Sequence, residues 1–176
     1  MPEIRLRPLT PEDSDGVRVL VEDAEARRYT RIPEPPPPGF EHTWIELYNP
    51  EIVGDTKAAF VITDDTGDAF YGLGMVPTIE AGSATAELGY LLTPAARGRG
   101  IATAALDALT RWAFEERRMY RIELLICVEN APSRAVAQRC GYSYEGTLRS
   151  IVLKDGPDGP IRHDTESWSK LATDPR

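Results

Sequence analysis

Cysteine and histidine are scarce, with two of each in 176 residues. Cys127 and Cys140 lack metal-ligand spacing and are too few for a disulfide framework, so both are read as buried thiols without chemistry and no metal is expected. His42 and His163 are far apart and carry no motif, which suits surface or loop positions. No apolar run approaches the ~18 residues that a membrane span needs. The N-terminal stretch MPEIRLRPLTPED lacks the apolar segment of a secretory signal, so a cytoplasmic chain is expected. Basic residues are outnumbered 28 to 20, giving a formal net charge of −8. That balance disfavours direct binding along a nucleic-acid backbone. It suits a cationic partner such as an amine, or simply solubility.

The length fits a single domain, residues 1–176, that buries roughly 70% of its unfolded surface. Ile4, Leu6 and Pro8 suggest a short first strand. Thr10-Pro11-Glu12-Asp13 has the chemistry of a helix start, and Val17, Leu20, Val21 and Ala24 follow at helical spacing. The proline run from Pro33 to Gly39 is then an extended loop, either bordering a substrate cleft or serving as a spacer. A second helix is expected from Phe40 to Tyr48. Within it Trp44 and Tyr48, at i and i+4, either pack in the core or line an acceptor cleft. Strand-like runs at Ala58–Thr63, Ala69–Ile79 and Ser83–Leu92, joined by turns rich in Asp and Gly, predict an antiparallel meander. A helix from Ile101 to about Arg118 and a strand from Arg121 to Val128 complete a parallel crossover. A short helix, Pro132–Cys140, precedes a hairpin formed by Tyr142–Lys154 and Ile161–Leu171.

The segment Thr93-Pro94-Ala95-Ala96-Arg97-Gly98-Arg99-Gly100-Ile101-Ala102-Thr103 is locally basic within this acidic chain. Glycines just ahead of a helix let several N–H groups converge on one anion, and the helix N-terminus adds partial positive charge. Arg97 and Arg99 can add full charges, so a diphosphate grip is the functional reading and a solvated helix-capping loop the plain one. A P-loop would need Gly-Lys-Ser/Thr here, and the third glycine of a dinucleotide fingerprint is replaced by Thr103.

Three motifs in order extend this reading: Arg97-Gly98-Arg99-Gly100-Ile101-Ala102; Ala86-Glu87-Leu88-Gly89-Tyr90-Leu91-Leu92 on the strand before it; and Asn130-Ala131-Pro132-Ser133 with Gly141-Tyr142 after it. Together they resemble the GNAT N-acetyltransferases, and in particular the Rim-type branch that modifies protein N-termini. The resemblance covers nearly the whole chain. It implies an α/β (α+β) GNAT fold: a mixed, mainly antiparallel sheet of about seven strands, flanked by about four helices, with strands four and five splayed. It also implies acetyl-CoA as co-substrate, its diphosphate held by the backbone of Arg97, Gly98, Arg99, Gly100, Ile101 and Ala102, with Thr103 beside them. Leu91 and Leu92 would then offer main-chain hydrogen bonds to the pantetheine arm, and Asn130 a side-chain one. Ser133 would lie near the cofactor sulfur. The helix after strand five has no tyrosine, the family's usual acid, which leaves Ser133 as the substitute; its alternative role is local hydrogen bonding at the helix start. A homodimer is a further expectation from the resemblance.

Transfer to an amine needs a neutral nucleophile. An α-amine, pKa about 7.7–8.0, loses its proton more readily than a lysine amine near 10.4. Glu87, the acid in an otherwise apolar strand, is the candidate base; the alternative is a surface carboxylate. A strand-four N–H, from Leu91 or Leu92, would stabilise the developing oxyanion. The preferred acceptor is a protein or peptide N-terminal amine. Small-molecule amines (polyamine, amino acid or aminoglycoside) and a non-catalytic acyl-CoA-binding module are the alternatives.

Overall fold

The computed structural model describes residues 2–156 and 159–175. Its elements in chain order are β1 (Arg5–Pro8), α1 (Ser14–Glu22), α2 (Ala24–Tyr29), α3 (Phe40–Glu46), α4 (Pro50–Val53), β2 (Ala58–Thr63), β3 (Gly72–Glu80), β4 (Thr85–Leu92), α5 (Ile101–Glu115), β5 (Arg121–Cys127), α6 (Ala131–Arg139), β6 (Ser143–Gly156) and β7 (Gly159–Leu171). The helix start at Thr10 is built by Asp13, whose carboxylate accepts from the Thr10 N–H at 2.9 Å and from both ends of the Arg7 guanidinium at 2.6 and 2.9 Å. These contacts allow the Asp13 carboxylate to be buried.

Six α-helices occur where the sequence reading expects four. One extra arises at Asp23, which takes extended backbone angles and caps a new helix by accepting from the Ala26 N–H at 2.8 Å. Ala24 therefore starts α2 rather than extending α1. The other, α4, is a single turn capped by Asn49 with Pro50 behind it. Tyr48 lies beyond the end of α3, in a closing turn where its N–H reaches the Ile45 carbonyl at 3.0 Å. β3 begins at Gly72 rather than Ala69 because Asp64 Oδ1 gathers the N–H groups of Gly67, Asp68 and Ala69 into a turn first. α5 stops three residues early, where Arg118 turns to a φ of 57° and the Met119 N–H doubles back to the Ala113 carbonyl. The tip of the last hairpin, at residues 157 and 158, lies outside the described residues.

The sheet has seven strands in the order β1-β2-β3-β4-β5-β7-β6, and every pair is antiparallel except β4–β5. Alternation along β4 divides its side chains between two layers. Ala86 and Leu88 join Leu106 and Leu109 of α5 and Val136 of α6. On the other face, Leu91 packs with Val17 and Leu20 of α1 and Trp44 and Ile45 of α3. Each fully buried Leu or Val contributes about 1.5–3 kcal/mol. Arg18 Nε, donating to Glu41 at 3.0 Å, ties α1 to α3.

The β4–β5 ladder is short. Thr85↔Arg121, Ala86↔Ile122 and Glu87↔Glu123 pair, after which the strands separate although both continue. A bulge places Val76 and Pro77 of β3 opposite Leu88, one residue past the last pair. Bulges bend and over-twist a strand, so β4 turns away from β5 where β3 is bulged. Among the described residues, no helix is long and apolar enough to cross a membrane.

Gly72 lets β3 approach β4: a Cβ there would stand 2.0 Å from the Leu91 carbonyl oxygen. Gly72→Ala is expected to cost about 2–3 kcal/mol of stability, measured as a lower urea midpoint. An unchanged midpoint would show that the ladder yields at this point.

Candidate functional site

Gly98 and Gly100 adopt left-handed φ values of 72° and 77°, and no side chain caps α5. Among the described residues, the N–H groups of Gly98, Arg99, Gly100, Ile101, Ala102 and Thr103 have no protein acceptor. An open row of amides at the N-terminus of a 15-residue helix suits an anionic group. The Ile101 side chain itself is buried in the core.

Arg97 departs from its expected role. Its N–H donates to the Pro94 carbonyl, and its guanidinium grips Asp23, reaches Glu25 at 2.8 Å and donates to the Leu92 carbonyl at 3.0 Å. The guanidinium thus meets two carboxylates, from α2 and its cap, and fastens α2 to the end of β4. Arg99 stays in the exposed loop, its guanidinium 5.3 Å from the centre of the Tyr71 ring.

The parted β4 edge obeys the antiparallel alternation. The Thr93 N–H donates to the Tyr71 carbonyl at 2.9 Å, and the same register faces Leu91 to Leu73 and Gly89 to Met75. Leu91 therefore spends its main-chain groups on β3 and is not available as a donor in the gap. Tyr90 and Leu92 turn theirs toward the space that β5 has left.

Across the gap, Asn130 Oδ1 accepts from the Ser133 N–H at 3.1 Å, capping α6 and leaving the Asn130 Nδ2 uncommitted among the described residues. The Tyr90 phenol donates to Ser133 Oγ at 3.3 Å. Burial pushes the Tyr90 pKa above its ordinary value, so the phenol stays protonated at neutral pH. The tyrosine missing from α6 thus has a counterpart on β4, which sequence reading passed over although residue 90 follows the buried positions 86 and 88 on one face.

On the other side of β4, Glu87 opens into a cavity of about 590 Å³. Burial raises its pKa; the Arg31 charge opposes this and the neighbouring Glu123 charge adds to it. Trp44 and Tyr48 line the same space, with the Tyr48 phenol pushed up to about 12 by burial and by the Glu87 charge. Ile32 and Phe40 line it from the two ends of the proline run, while the prolines between them do not. Cys127 and His163 also line it, His163 half-buried on β7 rather than on a loop; His42 is exposed. Cys140 is buried, and burial pushes its thiol up to about 11. Among the described residues, no acid, histidine and cysteine cluster could hold a metal.

An open amide row, a parted strand pair and a half-buried carboxylate thus lie along one strand and its exit. The chain matches the family model described as Acetyltransferase (GNAT) domain over residues 3–143. The chain belongs to the GNAT acetyltransferase family. Spermidine N(1)-acetyltransferase of Escherichia coli (strain K12) is 29% identical over 155 residues, 87% of this chain and 80% of that protein. YdaF of Bacillus subtilis (strain 168), named for ribosomal N-acetylation, is 37% identical over 86 residues, 49% of this chain and 45% of its own length. The chain thus spans under half of that relative. The solved spermidine N-acetyltransferase from Vibrio cholerae, in complex with CoA and spermine, superposes with a TM-score of 0.81 at 24% identity, covering 96% of this chain and 95% of that one. This GNAT chain is an acetyl-CoA-dependent enzyme that acetylates an amine.

A carboxylate whose pKa is raised by folding penalises the fold once it ionises. Stability therefore falls as pH rises from the ordinary value of 4.5 through the higher folded one. Glu87→Gln is expected to melt above the wild type at pH 7, the gain vanishing below about pH 4. Equal melting temperatures at pH 7 would mean that the carboxylate is solvated.

Proposed function

We propose that this GNAT enzyme acetylates an α-amine of the kind found at a peptide or protein N-terminus, by direct attack with both substrates bound. The observation that carries this reading is Glu87, half-buried on the cavity face of β4 beside the parted strands. Acetyl-CoA supplies the activated acyl carbon. The amine forms the new C–N bond as the C–S bond breaks. Glu87, directly or through water, takes the amine proton; burial makes it a stronger base than a surface carboxylate. The N–H groups of Tyr90 and Leu92 are the donors for charge developing on the acyl oxygen. Ser133 accepts from Tyr90, so its own hydroxyl proton is free to turn to the departing sulfur. The amides of residues 98–103 are assigned to the diphosphate, with Arg99 beside them and Asn130 Nδ2 facing the pantetheine arm.

A polyamine acceptor is the second reading, supported by the names of the spermidine relatives. The α-amine is favoured because its lower pKa leaves more of it neutral and because Glu87 is the one carboxylate among the described residues lining the cavity. A trication would call for several. Exposed Leu148, Ile151, Leu153 and Ile161 on the outer hairpin support a homo-oligomer.

Thiol release from acetyl-CoA, followed with short peptides and with spermidine, tests this reading. Glu87→Gln is expected to lower kcat by roughly 100-fold or more, while calorimetric CoA uptake stays at the wild-type level. Faster turnover of spermidine than of every peptide would move the assignment to polyamines. Ser133→Ala and Tyr90→Phe are each expected to lower kcat by about tenfold without changing the acceptor KM. Wild-type kcat in both would remove the pair from proton delivery.

A further inference from the structure

The lining of the cavity runs against the charge of the chain. Around it stand Arg28, Arg31 and Lys57 against a single carboxylate, Glu87, in a protein of formal net charge −8. Arg28 is already answered by Glu129 at 3.1 Å. Exposed Arg31 and half-buried Lys57 have no hydrogen bond or ion pair among the described residues, although the Arg31 charge reaches Glu87. The neighbouring charges are accounted for elsewhere. Arg27 holds Glu34 at 2.7 Å, and Glu123 accepts from Ser167 at 2.8 Å and lies near Arg121.

These two cations come from separate elements. Arg31 follows α2, and Lys57 immediately precedes β2. Glu87, which lines the same cavity, must stay available for a proton and cannot serve as a permanent counterion to both. The Thr165 hydroxyl on β7 adds a third uncommitted donor: 2% exposed, without a partner among the described residues, and on the cavity wall.

We propose that Arg31 and Lys57 recognise an anionic group on the acceptor, so that the enzyme selects amines carrying a carboxylate within a side chain's length of the reacting nitrogen. This rests on the α-amine reading above and narrows it. Two sources supply the chemistry: an acidic side chain next to a peptide N-terminus, or the α-carboxylate of a free amino acid. A polyamine would place further positive charge beside both cations.

Steady-state thiol release separates the possibilities. The acceptors are C-terminally amidated tetrapeptides differing only in Glu, Gln or Lys at the second position, and a free amino acid with its amide. The expected result is a KM about tenfold lower for the carboxylate member of at least one matched set, with Lys worst and the contrast shrinking as salt is raised. Which set responds identifies the source of the anion. Arg31→Gln and Lys57→Gln should each raise KM for the acidic acceptor alone, and Lys57→Glu should favour the Lys peptide. Calorimetric CoA uptake should be unchanged in all three. A charge-blind KM in the wild type overturns the proposal while leaving α-amine acetylation intact. So does weakened CoA uptake in the Gln variants, which would assign the cations to the cofactor. Absence of thiol release with every amine would instead defeat the acetylation reading and this one with it.

Discussion

The constraint on which the site depends is the early end of one strand pairing. β4 and β5 are hydrogen-bonded only as far as Glu87 and Glu123, yet both strands run on for several residues. Each unpaired main-chain group of β4 would be costly if buried without a partner. An edge of this kind inside a sheet is a template for something extended, and a pantetheine arm with its amides is such a group. The same departure opens a passage through the sheet, with Ser133 and Tyr90 on the helix α5–α6 side and Glu87 on the side of α1 and α3. Donor and acceptor substrates can thus reach one point from opposite faces, as direct transfer requires.

The parting is held in place by neighbours that take no part in chemistry. The bulge at Val76 and Pro77 bends β3 opposite Leu88. Arg97 clamps the far end of β4 by reaching both the Leu92 carbonyl and the acids around the start of α2. Past that clamp the chain turns on Gly98 and Gly100 into α5, so the open edge and the open amides are one continuous surface. Removing the arginine's charge would loosen α2 as well as β4, and α2 leads directly to Arg31 and Ile32 on the cavity wall.

What was legible in the sequence was what local pattern encodes. Two glycines before a helix, an acid in an apolar strand, and an Asn-x-x-Ser helix start each declare themselves within a few residues. The seven strands follow from alternation and turn chemistry in the same way. The partners of the Arg97 guanidinium are 72 and 74 residues away, and proximity to the glycines says nothing about where a long side chain turns. Leu91 and Leu92 are named together because the sequence does not show which main-chain groups face which neighbour; only the register against β3 decides that. Arg31 and Lys57 sit in no motif at all. They matter because a loop and a strand start meet over the same space, a consequence of topology alone.

The position of Glu87 shows how such a site tolerates its own instability. Burial and Glu123 raise its pKa, whereas Arg31 draws it down. With Arg31 absent, burial and the Glu123 charge would act unopposed and hold its proton affinity higher. With Glu123 absent, Arg31 would hold the proton affinity lower and weaken the base. Catalysis by a carboxylate near neutral pH needs a value between these extremes. Arg31, one of the two cations proposed to anchor an acidic acceptor, is then also the one that restrains the rise in the Glu87 pKa. A bound acceptor carboxylate would offset part of the Arg31 charge and so act on Glu87 in the same direction as burial and Glu123.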